Sequence, residues 1–150
     1  MNHISALPKK ETDRKAAALH QVAAMPLRVA ADGLEVCLVT TRETGRWTIP
    51  KGWPMKGKSN RIAASIEARE EAGLVGKIAK RAMGSFLYWK RRQADLILVR
   101  VVVYRMDVAE QLSNWKEDAE RHVMWFPVDI AADLVDEPGL QAMIGELSQP

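Results

Sequence analysis

The sequence predicts an α+β fold with a mixed central β-sheet, and three observations predict it. Apolar and β-branched runs of strand length dominate the middle of the 150-residue chain. The turn signals between them are those of antiparallel hairpins. One breaker-free helical stretch is inserted among the strands and further helical stretches come late, an order unlike a regular βαβ alternation.

Residues 1–15, MNHISALPKKETDRK, are polar, charged and broken by Pro8, so they read as a loose tail and 16–150 as one domain. They lack the apolar run of a signal peptide. LHQVAAMPLRVA then reads as a strand, Asp32-Gly33 as a hairpin turn, and LEVCLVTTR as the returning strand. After the turn ETG, a short strand over 46–49 runs into a Pro/Gly-rich loop over 50–58. A helix follows. Ser59 or Asn60 can cap it, 61–72 holds no breaker, and Gly73 supplies a left-handed stop. GKIAKRAMGSFLYWKR and ADLILVRVVVYRMDV read as two strands joined by a basic turn. SNWKEDAER is a polar loop, HVMWF a last short strand, and PVDIAADLV and EPGLQAMIGEL are helical.

A hydrophobic content of 47% suits one domain with its own core. Cys37 is the single cysteine, which removes an internal disulfide or a cysteine-based zinc set from consideration. The most apolar run, ADLILVRVVVY, is interrupted by Arg100 and is too short for a membrane-spanning helix. The expectation is a soluble cytoplasmic protein without a membrane partner, as a monomer or homodimer. A net charge of +3 and a pI near 9.1 suit an anionic ligand. Nucleic acid is not the expected partner, because the basic run at 90–92 is turn-borne and such residues are ordinarily just solvated.

The stretch EAREEAG crowds Glu67, Glu70 and Glu71 against the carbonyl end of the helix, which carries roughly half a negative charge. Glu67 and Glu71 also form a like-charge pair one turn apart, costing roughly 0.2–0.5 kcal/mol. At about 100° per residue, Ile62, Ile66 and Ala63 make an apolar stripe, Glu70 borders it, and Glu67 and Glu71 lie farther round. A solvated acidic face would tolerate these small costs. A hard divalent cation, magnesium or manganese, would reverse their sign. Crowding also raises the proton affinity of at least one carboxylate, so a general base can sit at the same place.

The flanking residues add a specific pattern. In GWPMKGKSNRIAASIEAREEAGL, Gly52, Glu67, Ala68, Glu70, Glu71, Gly73 and Leu74 fall in the register of the Nudix box, and the chain resembles the Nudix hydrolase family. That pattern is Gly, five residues, Glu, seven residues, then Arg-Glu-apolar-any-Glu-Glu-any-Gly-apolar. Lys58 stands where the first Glu belongs and Ile66 where the Arg belongs. RWTIPKG, MGSFLYWKRR and VMWFPVDIAADLV extend the likeness over residues 16–146, towards the branch of diadenosine-polyphosphate and diphosphoinositol-polyphosphate hydrolases.

The resemblance implies an α/β/α sandwich that hydrolyses a diphosphate linkage by metal-activated water. It implies that Glu67 and Glu71 bind the metal, and that Glu70 binds metal or serves as the catalytic base. The departures at Lys58 and Ile66 weaken support around a metal, and such losses typically cost about 10–100-fold. A weakened or retuned enzyme is expected; the alternative is a silent Nudix-fold module that binds a polyphosphorylated ligand.

For a small-molecule, diphosphate-containing substrate, the candidate contacts are Arg42, Lys51 and Gly52 around the start of the box. Lys90, Arg91 and Arg121 join them by approximate likeness to the polyphosphate-inositol branch. Trp53 and Trp89 lie near the expected cleft, whereas Trp47 and Trp125 read as core. The acids of KEDAE, Glu117, Asp118 and Glu120, sit where some members of the resembled family supply a further metal ligand from a loop; such a loop is ordinarily solvated, and Glu120 is the candidate kept. No nucleophile signature surrounds Ser65 or Cys37.

Overall fold

The computed structural model describes residues 19–148, so the tail assigned to residues 1–15 lies outside the described residues. The described residues form eight strands and three helices: β1 His20–Ala30, β2 Gly33–Thr40, β3 Trp47–Thr48, β4 Lys51–Gly52, α1 Asn60–Ala72, β5 Leu74–Ile78, β6 Gly84–Arg91, β7 Leu96–Gln111, β8 Val123–Pro127, α2 Val128–Leu134 and α3 Pro138–Glu146. The sheet is mixed, as predicted. β1 and β7 run parallel, while β1–β2, β2–β8, β5–β7 and β6–β7 are antiparallel.

Burial explains why β1 reads as an almost continuous apolar run. Gln21 through Leu27 are all buried, because helices cover both faces of the sheet. On one face Met25, Leu27, Leu38, Phe86 and Val101 pack against α2 and α3 through Val128, Ala131, Leu140 and Ile144. On the other, Val22, Ala24, Val39 and Met106 pack against Ala63, Ala64, Ala68 and Ala72 of α1. This is the α/β/α sandwich.

Three expectations change. The single strand expected over residues 76–91 is two, β5 and β6, which pair with opposite ends of the 16-residue β7. The loop after β3 contains a two-residue strand, since Lys51 and Gly52 pair with Ala23 and Val22. The third concerns α1. Its buried face is the alanine row, whereas Ile62 is exposed and Ile66 half-buried. Side chains as small as alanine let α1 lie close to the sheet, and Glu71 projects from the centre of that face.

Both ends of α1 follow the sequence signals. Ser59 caps it, its Oγ accepting from the Ile62 N–H at 3.4 Å. Gly73 ends it in the left-handed region, φ 70°, its N–H donating to the Ala68 and Arg69 carbonyls.

Candidate functional site

A cleft of about 490 Å³ opens beside the C-terminal half of α1, and it is lined by every candidate catalytic, metal-binding and substrate-contact residue named from the sequence except the loop acid Glu120. Glu67, Glu70 and Glu71 come from α1, Lys51 and Gly52 from β4, and Lys90 and Arg91 from β6. Arg42 comes from the turn after β2 and Arg121 from the loop between β7 and β8. Trp53 and Trp89 are exposed at the same cleft. Lys58 is exposed and is not among the lining residues.

Glu71 is the most deeply placed acid, with 4% of its surface exposed. Its Oε1 accepts from the Lys51 backbone N–H at 3.4 Å. Burial pushes its carboxyl up to about 8, the Glu67 charge adding to this and Arg121 and Lys51 opposing it. Glu67 is also raised, chiefly by burial and further by the Glu70 charge, while a hydrogen bond with Glu71 pulls the other way. Burial and mutual repulsion thus both favour the protonated form at this pair. Gly52 makes room for this pair, because a Cβ there would collide with the Glu67 carboxylate. Glu70 sits nearer the mouth, its Oε1 3.7 Å from the Lys116 Nζ.

The cations divide into two kinds. Arg121, with only 10% of its side chain exposed, is tied inward: Nε donates to Glu117 Oε1 at 2.7 Å, Nη1 to the Thr40 carbonyl at 3.1 Å, and Nη2 lies 3.8 Å from Glu71 Oε2. Lys51 reaches over the Tyr88 ring, Nζ 5.0 Å from its centroid, and burial lowers its ammonium against the opposing pull of Glu71 and Glu137. Lys90 is half-buried and Arg91 exposed on the facing wall. Arg42 pairs with Glu120 at 3.1 Å, which directs Glu120 to the rim.

The loop acid that reaches the carboxylate cluster is Glu117. Of the three loop acids in KEDAE it is Glu117, one helical turn before Arg121 in the sequence, and not Glu120 that the fold brings there. Tyr88 and Gln21, joined at 2.7 Å, form part of the same cleft and carried no motif.

As they stand, no three His, Cys, Asp or Glu side chains among the described residues gather around one point as a metal would require. The donor chemistry nevertheless fits a hard divalent cation. Glu67 and Glu71 are oxygen donors one turn apart, sheltered, crowded so that a cation would relieve their repulsion, and given space by Gly52.

The family model described as NUDIX domain matches residues 19–144. Nudix hydrolase 18, mitochondrial, of Arabidopsis thaliana is 30% identical over 112 residues, covering 71% of this chain and 62% of that protein. The chain thus spans less than two thirds of the curated relatives it matches. Among solved structures, a C. elegans Ap4A hydrolase superposes with a TM-score of 0.61 at 16% identity, over 87% of this chain and 96% of that one. The NUDIX domain of Shewanella oneidensis NrtR, complexed with ADP ribose, gives 0.65 at 18% identity, over 98% and 99%. At these identities the superpositions establish the fold. No helix among the described residues is long and apolar enough to cross a membrane.

Proposed function

The chain belongs to the NUDIX domain family, and on that premise we propose that it is a pyrophosphohydrolase acting on a diphosphate linkage in a small phosphorylated metabolite. One observation carries this reading. Two sheltered carboxylates, Glu67 and Glu71, face a cleft whose other walls carry Arg42, Arg46, Lys51, Lys90 and Arg91. That pairing of a cation-binding acid cluster with an anion-binding rim suits a substrate with two adjacent phosphates. Similar proteins that act on Ap4A or bind ADP ribose support a nucleotide-linked diphosphate.

Glu67 and Glu71 would hold the cation, magnesium or manganese, with Glu70 beside them. Bound there, the ion supplies charge neutralisation at phosphate oxygens and a more acidic water. The remaining work falls to side chains. Lys51, Lys90, Arg91 and Arg42 bind and orient the phosphates. Arg121 holds Glu71 and Glu117 in place. Glu70, half-exposed at the mouth, takes the proton from the water that attacks phosphorus.

A second reading has its own observation. Ile66 offers no charge to the acids, and Glu70 is turned towards Lys116, which suits a module that binds a polyphosphorylated ligand without turnover. A hydrolysis screen with magnesium or manganese, its phosphorylated products separated by anion-exchange chromatography, decides between the two. It covers diadenosine polyphosphates, diphosphoinositol polyphosphates, nucleoside triphosphates and ADP-ribose, with Glu70→Gln in parallel. Turnover by the wild type that Glu70→Gln loses supports the enzyme. Thermal stabilisation by a polyphosphate without any turnover supports the binding module.

A further inference from the structure

Three consecutive residues of the β7–β8 loop address the two acids at the end of α1. Trp115 donates from its indole Nε1 to the Glu71 carbonyl at 3.2 Å, and its ring covers Gly73 so closely that a Cβ there would lie 2.7 Å from Cδ2. Lys116 brings Nζ to 3.7 Å from Glu70 Oε1. Glu117 donates its N–H to the Glu70 carbonyl at 2.9 Å, and its carboxylate holds Arg121, which reaches Glu71. Just upstream, the Gln111 side chain donates to the Ala72 carbonyl at 3.3 Å and the Leu112 N–H to the Gly73 carbonyl at 2.7 Å.

The carbonyls of residues 70–73 thus all meet donors from one segment. A helix leaves its last four carbonyls without intrahelical partners, and together they form the negative pole. Donors placed there offset the field that three carboxylates would otherwise face. Ile66, one turn before Glu70, lines a second cleft of about 340 Å³ together with Trp115 and Lys116, and its side chain is apolar.

We infer that Trp115, Lys116 and Glu117 are positioning residues, a strap that fixes the orientation of Glu70 and Glu71 and supplies from the loop the support that Ile66 does not give from the helix. Its effect on turnover rests on the proposed pyrophosphohydrolase activity; its effect on the helix end does not.

The test uses the full chain with Trp115→Phe, which keeps a ring over Gly73 but removes the N–H. Beside it stand Lys116→Met, which keeps the stem but removes the charge, and Lys116→Arg. Hydrogen exchange reads the strap directly at the Leu112 and Glu117 amides, in the absence of metal and substrate. Trp115→Phe should speed exchange there about 10-fold with little change in Tm, because the opening is local. Unchanged exchange would overturn the strap.

Kinetics read its role on the compound that the wild type prefers. Lys116→Met should lower kcat about 10-fold while KM stays within about twofold, and Lys116→Arg should recover most of the loss. A rise in KM with kcat intact would make Lys116 a substrate contact and refute positioning. If the wild type turns over no diphosphate compound, the activity reading fails, and the exchange result alone upholds or overturns the strap.

Discussion

Replacing Gly52 with alanine would set a methyl group against the Glu67 carboxylate. Its Cβ would overlap Oε2 and lie 3.0 Å from Oε1, so the carboxylate has to withdraw. The backbone has no part in the conflict. Gly52 is not among the glycines with positive φ, and alanine suits a strand that pairs with Val22. Fold stability should therefore change by less than about 1 kcal/mol. The cost falls on Glu67, whose movement also breaks its hydrogen bond with Glu71. A displacement of about 1 Å at reacting groups can cost about 100-fold in rate. A disturbed metal environment typically raises the ion requirement about 10–100-fold. Magnesium titration of turnover, with thermal denaturation of the same preparations, measures both. Gly52→Ala should keep its Tm, lose about 100-fold in kcat and need more magnesium. Wild-type kcat and magnesium dependence would refute the argument that Gly52 exists to place Glu67.

The other predictions concern the surrounding structure. Gly73→Ala should destabilise by about 1–3 kcal/mol, because alanine is strained at φ 70° and would press on the Trp115 ring; urea denaturation measures it. Arg121→Met should cost about 3–5 kcal/mol in the same assay, since it leaves the sheltered Glu117 carboxylate without its cation. Without metal, stability should fall as pH rises. Glu71 keeps its proton in the folded protein until about pH 8, whereas its ordinary value is 4.5, so across that window the folded state binds the extra proton and the benefit is lost through about 8. Tm recorded between about pH 5 and 9 in chelator follows this, and added magnesium should reverse the loss at the alkaline end. Cys37, buried and pushed up to about 12, should resist thiol reagents in the native protein and react only on unfolding.

Local signals translated well into local structure. Asp32-Gly33 marked the hairpin between β1 and β2, and Ser59 and Gly73 bounded α1 within a residue. The Nudix-box spacing brought all of its acids to one cleft. What stayed illegible was set by distant partners. Nothing in LHQVAAMPLRVA says that it will run parallel to β7, and nothing in the loop 50–58 says that two of its residues will pair with β1. The face of α1 was misjudged because alanine carries little hydrophobic signal, so two isoleucines outweighed four alanines that close approach to the sheet actually buries. The place of Arg121 before the closing strand said nothing of its protein partners, Glu117, Glu71 and Thr40, which lie along the cleft that it lines. Trp115 had no motif at all. Its role comes from a turn of chain that places its indole over the end of α1.

The most direct test of hydrolysis at the helix acids is turnover in ¹⁸O-labelled water with magnesium, followed by ³¹P NMR of the products. The account predicts one labelled phosphate group per cleavage in the wild type and no labelled product with Glu67→Gln or Glu71→Gln. Cleavage products whose phosphate groups carry no label, or undiminished labelling in both variants, would contradict it.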